Sequence, residues 1–257
     1  MLQRMWAGPE GISVLCVFGT RPGAIKMAPV VRELAACPEV TSHVCVTGQH
    51  RELLDDVLST FAITPDYDLD VMRPGQSPTG VAAEVMRGLE PVLANLRPDW
   101  VVVLGDTTTA AVGALAAFYA GARVAHVEAG LRTYVAREPF PEEVNRRVAG
   151  VVADLHLAPT AAARDNLLAE GVAPESVLIT GNTVIDALHA ARALPPARGA
   201  LDLLPQDRRL VVVTTHRRES FGPPLERICA AVAELVARFE DVQVALPVHP
   251  NPAVRFA

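Results

Sequence analysis

Val101-Val102-Val103-Leu104-Gly105-Asp106-Thr107-Thr108-Thr109, with its sequel Val124-Ala125-His126-Val127-Glu128-Ala129-Gly130, decides the fold of this chain. Each half is a short apolar run, rich in β-branched residues, that stops abruptly at a glycine and a carboxylate. Such runs read as strands buried on both faces of a parallel sheet. Between them, Thr107 to Gly121 is Ala-rich and long enough for one helix. The unit is therefore strand, helix, strand, with an acid at the carboxyl end of each strand. In open α/β sheets, ligands bind just outside those ends. Two carboxylates there suggest proton-transfer chemistry. The plainer reading has Asp106 capping the helix and Glu128 pairing with a nearby arginine.

The same alternation extends in both directions. Ile12 to Phe18 reads as the first strand and runs into Gly19-Thr20-Arg21-Pro22-Gly23-Ala24-Ile25-Lys26, where a helix begins. Thr20 suits a cap and Pro22 a first helical turn. Gly19 permits close approach of a ligand to the backbone, and Arg21 and Lys26 make the turn locally basic, so an anion is a fitting ligand. The spacing is that of neither a P-loop nor a dinucleotide fingerprint. His43 to Thr47 is the second strand, closed by Gly48-Gln49-His50-Arg51. Thr64 to Pro78 reads as a loop, and Gln76 to Leu96 as a helix broken by Pro98-Asp99.

Beyond Glu128 a polar loop reaches Glu142, which opens another helix. Glu142 and Arg146 are four apart and share a helix face. A surface ion pair is one reading of them, and a functional pair beside a strand end is the other. Asp154 to Ala158 and Ser176 to Thr180 are further strands, with a helix from Pro159 to Glu170 between them and another over Val184 to Ala193. Arg209 to Thr215 and Val242 to Val248 are the last strands, ending at His216 and His249. The expected organisation is a first α/β domain over residues 1–184, a linker over 185–206 and a second α/β domain over 207–257. Two parallel strands and one helix cannot cover both faces of a sheet, so the second domain is expected to be unfinished.

Composition narrows the function. Half of the 257 residues are apolar and the net charge is -6, which disfavours disorder and nucleic-acid binding. The most apolar uncharged run, about Ala110 to Ala122, is shorter than the roughly 20 residues a bilayer span needs. Ile12 to Phe18 leads into Gly19-Thr20-Arg21, not into a small-residue cleavage site, so it reads as a strand and not a signal peptide. Cys16, Cys37, Cys45 and Cys229 show no metal-ligand spacing, and free thiols in a reducing cytoplasm are expected.

Seven tracts in chain order resemble the non-hydrolysing UDP-N-acetylglucosamine 2-epimerases. They are Phe18-Gly19-Thr20-Arg21-Pro22, Ala24-Ile25-Lys26-Met27-Ala28-Pro29, Gly105-Asp106-Thr107-Thr108-Thr109, His126-Val127-Glu128-Ala129-Gly130-Leu131-Arg132, Pro141-Glu142-Glu143-Val144-Asn145-Arg146, Ile179-Thr180-Gly181-Asn182-Thr183-Val184-Ile185-Asp186 and His216-Arg217-Arg218-Glu219-Ser220-Phe221-Gly222. The resemblance implies two Rossmann-like, doubly wound domains of the glycosyltransferase-B type, the second incomplete. It also implies a cytoplasmic homodimer and interconversion of UDP-GlcNAc and UDP-ManNAc, for cell-surface polysaccharide precursors. UDP would be eliminated across C1–C2 and added back, with neither metal nor cofactor.

On this resemblance Asp106, Glu128, Glu142 and His216 are the catalytic set. Arg21, Lys26 and Arg146 join Asp106, Glu128 and His216 in binding substrate. Gln49, His50, Arg73 and His249 are similar to a regulatory UDP-GlcNAc site, and His126 reads as core. Two departures stand out. Gly23 occupies a position where the family usually has Glu, and family members run roughly a hundred residues further. The competing reading is a truncated, non-catalytic sugar-nucleotide-binding remnant of that family. A glycosyltransferase of the same fold is a third reading, opposed by the Glu128, Glu142 and Arg146 tracts.

Overall fold

The computed structural model describes residues 11–48, 51–73, 75–195, 204–205, 207–215 and 222–247. Two compact units divide the chain, Met1–Leu194 and Pro195–Ala257.

The first unit is built on seven parallel strands: β1 (Ile12–Phe18), β2 (Val40–Val46), β3 (Tyr67–Asp68), β4 (Trp100–Leu104), β5 (Arg123–Val127), β6 (Leu155–Ala158) and β7 (Val177–Ile179). Their spatial order is β3-β2-β1-β4-β5-β6-β7. The order reverses between β1 and β4, where Val14 pairs with Trp100 and Val17 with Val103. This is the switch point of a doubly wound sheet, where the connections from the two neighbouring strands leave on opposite sides and open a crevice.

Successive residues of β1 point to opposite faces, and both faces are apolar. Leu15 and Val17 pack with Val101, Val103 and Val124 against Val85, Leu89, Ala110 and Ala114. Those partners come from α3 (Pro78–Leu96) and α4 (Thr108–Tyr119). Val14, Cys16 and Phe18 pack with Val102 and Leu104 against Ala24, Met27, Val31, Leu54 and Val57 of α1 (Arg21–Ala36) and α2 (Arg51–Thr60). Burial on both faces is why these strands read as unbroken apolar runs.

α5 (Glu142–Val152), α6 (Ala161–Ala169) and α7 (Thr183–Ala193) complete the unit. Short polar caps set the starts of α1, α3, α4, α6 and α7. Thr20, Ser77, Thr107 and Thr160 each accept the backbone N–H three residues on, and Asn182 accepts that of Val184. The second unit holds β8 (Arg209–Val212), α8 (Pro223–Arg238) and β9 (Val242–Ala245), with β8 and β9 parallel.

The α/β, doubly wound reading holds, with local differences. β3 lies inside the stretch read as a loop. It is only two residues long and is held by its pairing with Cys45 and Val46, so no apolar run announces it. β8 ends at Val212, short of the expected Thr215. The stretch expected to be a linker from residue 185 holds most of α7. α7 belongs to the first unit, which continues to Leu194: Asn182 caps it, and its own Ala187 is buried.

Candidate active site

Asp106 and Glu128 stand where the strand pattern put them, one just past β4 and one just past β5. The backbone at both ends is bent. Gly105 has φ +69°, and Glu128 itself has φ +61°, a left-handed conformation that costs a non-glycine residue about 1 kcal/mol or more. The bend turns the Glu128 side chain back over the β4 end: a Cβ placed on Gly105 would lie 3.5 Å from its Oε2. The Gly105 N–H in turn donates to the Val127 carbonyl at 2.9 Å, tying the two strand ends together.

Neither acid takes the plain role considered for it. Thr107, not Asp106, caps α4, accepting the Ala110 N–H at 3.1 Å. The Asp106 carboxylate is therefore free to pair with Nη2 of Arg146 on α5. Asn145 adds a hydrogen bond from Nδ2 to the Asp106 carbonyl at 3.0 Å. Glu128 pairs with a lysine and not an arginine. Lys26 Nζ donates to Oε1 at 2.7 Å and Oε2 at 2.6 Å, and Asn182 Nδ2 donates to Oε1 at 2.9 Å. The Glu128 side chain is 12% exposed and that of Lys26 24%, so the pair is largely shielded and each charge depends on the other. Lys26 brings the first turns of α1 to the β5 end, across the switch point.

Glu142 occupies the first turn of α5, where the helix dipole favours an anion. Its expected partnership with Arg146 is replaced. Arg146 reaches Asp106 and, at 3.4 Å, Glu143, three residues back on the helix and not four. Among the described residues, Glu142 Oε2 and Arg146 Nε are buried with no hydrogen-bond partner. A buried carboxylate oxygen without a donor is costly unless a ligand supplies one.

Arg21 is exposed at the start of α1 and has no side-chain partner among the described residues. Gly19 beside it is closely overhung, since a Cβ there would fall 1.7 Å from Thr47 Oγ1, which bonds Thr109 Oγ1 at 2.9 Å. Gly23 is buried under the Thr20 hydroxyl, and a Cβ there would lie 3.1 Å from it. His126 is core, as read. Its Nε2 donates to the Gly105 carbonyl at 2.7 Å, and burial pushes its pKa down to about 4 against the opposing pull of that carbonyl. A neutral imidazole thus supports the Gly105-Asp106 turn from beneath.

Arg73, from the regulatory set, is exposed and bonds the Asp70 and Met72 carbonyls. His216, Gln49, His50 and His249 lie outside the described residues. Among the described residues, no group of three or more His, Cys, Asp or Glu could hold a metal ion, and no helix is long and apolar enough to cross a membrane. A groove of about 1170 Å³ opens at the opposite, amino-terminal end of the sheet, beside Arg97, Trp100, Tyr119 and Arg123. It is remote from the acids, and chemistry rather than volume marks the site.

Three polar residues of the cluster went unassigned in the sequence: Glu143, Asn145 and Asn182. Glu143 and Asn145 sit one position either side of noticed residues, on a helix whose face could not be fixed without its neighbours. Asn182 carried a signal, since Gly181-Asn182-Thr183 follows a strand and precedes a helix. Its Oδ1 caps α7 and its Nδ2 serves Glu128.

The comparisons with known proteins agree with this architecture. The family model described as UDP-N-acetylglucosamine 2-epimerase matches residues 32–257. The UDP-N-acetylglucosamine 2-epimerase of Escherichia coli strain K12 is 49% identical over 252 residues, covering 95% of this chain and 67% of that protein. The Bacillus subtilis strain 168 enzyme of the same name is 48% identical over 246 residues, covering 96% of this chain and 64% of its own length. The crystal structure of UDP-GlcNAc 2-epimerase from Neisseria meningitidis bound to UDP-GlcNAc superposes with a TM-score of 0.86 at 44% identity, covering 95% of this chain and 68% of that one. The chain thus spans about two thirds of the length of the relatives it matches. With paired acids at its switch point and these matches along nearly its whole length, the chain belongs to the UDP-N-acetylglucosamine 2-epimerase family, a family of isomerases.

Proposed function

We propose that this chain interconverts UDP-GlcNAc and UDP-ManNAc, with the proton transfers carried out at the carboxyl ends of β4 and β5. The observation that carries the reading is the placement of Asp106 and Glu128 on adjacent strand ends, each matched to one cation, from α5 and α1 respectively.

The chemistry asks for such a site. The hydrogen on C2 of the sugar is not acidic enough to exchange unaided. Its removal becomes feasible when the bond from C1 to the diphosphate oxygen breaks in the same event. The C2–H electron pair then forms the C1–C2 double bond, the C1–O pair leaves with UDP, and 2-acetamidoglucal remains. Re-addition reverses these steps. To invert C2, the proton must leave from one face and return to the other, so one base is not enough unless it reaches both faces. Asp106, Glu128 and Glu142 are the groups proposed to share this work. Arg21 and Lys26, beside the narrow Gly19 turn, are proposed to meet the departing diphosphate, where donors already in place lower the barrier to charge separation. Arg146 holds Asp106, and His216 is proposed to assist the departure of UDP. Lys26 and Glu128 satisfy each other. Substrate would draw the ammonium towards phosphate and release the carboxylate for the proton.

The test is incubation of the protein with UDP-GlcNAc, with products separated by ion-pair chromatography. The reading expects UDP-ManNAc at equilibrium with UDP-GlcNAc and no free sugar. Release of ManNAc and UDP would replace it with a hydrolysing epimerase. Saturable binding without any product would replace it with a sugar-nucleotide-binding remnant.

A further inference from the structure

Among the described residues, Glu143 is a fully buried carboxylate that the proposed reaction leaves without a role. One oxygen accepts the Thr133 N–H at 3.0 Å and the other the Tyr134 N–H at 3.1 Å. Burial raises its pKa, but these two backbone donors, the Thr133 hydroxyl and the Arg146 guanidinium outweigh that and hold it below the usual carboxylate value. The loop it grips is pinned from its other side. Arg132, with a side chain only 1% exposed, meets Glu170 through Nε at 2.9 Å and Nη2 at 2.7 Å. Glu143 is therefore an anion held in a fixed place by groups that are themselves fixed.

What it faces is the guanidinium that holds Asp106. Arg146 Nη1 is 3.4 Å from Glu143 Oε2, while its Nη2 is bonded to Asp106. A planar fork between two carboxylates loses both rotation and tilt, whereas an arginine with one partner keeps most of its freedom. We propose that Glu143 is a positioning residue of the proton-transfer centre: by fixing the second arm of Arg146 it sets the aim of the Asp106 carboxylate. The inference rests on the epimerase reading for its kinetic consequence, and on the geometry alone for its structural one. Glu143 reaches the reaction only through Arg146.

The experiment follows two signals in Glu143→Gln. The first is the side-chain ¹⁵N–¹H pattern of Arg146, assigned by its loss in Arg146→Lys. In the wild type the two arms are held apart, and separate Nη resonances are expected. Glu143→Gln removes the negative charge, and its NH2 must face either the Tyr134 N–H or the Thr133 N–H and Arg146 arm, so the hold on Nη1 weakens and the resonances are expected to average. The second signal is steady-state kinetics with UDP-GlcNAc: kcat is expected to fall about tenfold to a hundredfold, as for a misaimed reactive group, with KM within twofold. A merely structural loop anchor would leave the guanidinium signal unchanged. Separate Nη resonances that persist in Glu143→Gln overturn the proposal, and so does averaging with kcat unchanged. Glu143→Asp keeps the charge but draws the carboxylate back from Arg146, and it decides the matter if Glu143→Gln does not fold: separate Nη resonances or wild-type kcat in that variant overturn the proposal, and averaging with a similar fall in kcat supports it. If the wild-type protein turns over no UDP-GlcNAc, the epimerase reading fails by itself, and the guanidinium signal still decides whether Glu143 fixes Arg146.

Discussion

Lys26 and Glu128 form the pair on which the residue-scale account turns most sharply. Each is largely shielded from solvent, so removing one leaves the other with an uncompensated charge. Lys26→Met is expected to weaken substrate binding, with KM for UDP-GlcNAc rising tenfold or more, since the ammonium is assigned to the diphosphate. Glu128→Gln keeps the shape and the Asn182 contact but removes the carboxylate proposed as base. It is expected to lower kcat by about two to four orders of magnitude while leaving binding near wild type. Titration calorimetry with UDP beside kinetic assays separates the two effects. The thiols give a simpler check. Burial pushes Cys16 and Cys45 up to about 12, whereas Cys229 is exposed. Native protein is expected to be alkylated at Cys229 and spared at Cys16 and Cys45 until denatured, as mass spectrometry of the labelled peptides would show.

At the scale of elements, the turns after the strands position the chemistry. Gly130 has φ +87°, and a Cβ there would fall 2.2 Å from the Ala163 carbonyl oxygen on α6. Gly130→Ala combines backbone strain with overlap against a main chain that cannot yield, and is expected to cost about 2–3 kcal/mol in urea unfolding. Thr107→Ala removes only the α4 cap and is expected to cost about 1 kcal/mol, with kcat little changed because Asp106 does not cap that helix.

These elements also mark how far the sequence could be read. The strand runs Ile12 to Phe18, Val101 to Leu104 and Val124 to Val127 were legible because a sheet covered on both faces demands unbroken apolar residues. The two acids were legible because they interrupt those runs at the end where ligands bind. The partners of the acids were not. Lys26 lies 102 residues from Glu128 and Arg146 lies 40 from Asp106, and only the strand order brings them together. Glu142 and Arg146 illustrate the limit. Spacing of four placed them on one face, yet Arg146 turns towards Glu143 because the buried loop at Thr133 and Tyr134 already fixes that carboxylate. β3 escaped notice for a related reason: a two-residue strand is defined by its neighbour and not by its own composition.

For the whole molecule, the buried neutral histidine couples stability to pH. The pKa of His126 is depressed in the folded state to about 4, against about 6.5 when exposed, so the unfolded chain binds a proton that the native one refuses. Its contribution is complete above about pH 6.5 and is lost as pH falls towards 4, on the order of 3 kcal/mol in all. His156, paired across the sheet with His126, is also lowered by burial and acts in the same direction. Glu143 and Glu170, both held below their usual range, withdraw stability only at still lower pH. Urea unfolding at pH 7.5, 6.0 and 5.0 is expected to show falling stability, with the decline already under way above the carboxylate range.

The central claim is that the acids at the ends of β4 and β5 move the proton at C2. Time-resolved proton NMR of UDP-GlcNAc in D2O, with wild-type protein and with Asp106→Asn and Glu128→Gln, tests it most directly. Wild-type protein is expected to replace the C2 hydrogen with deuterium as UDP-ManNAc appears. Each variant is expected to slow both signals by about a hundredfold or more. UDP-ManNAc formed with its C2 hydrogen retained, or exchange at the wild-type rate in either variant, would contradict the claim.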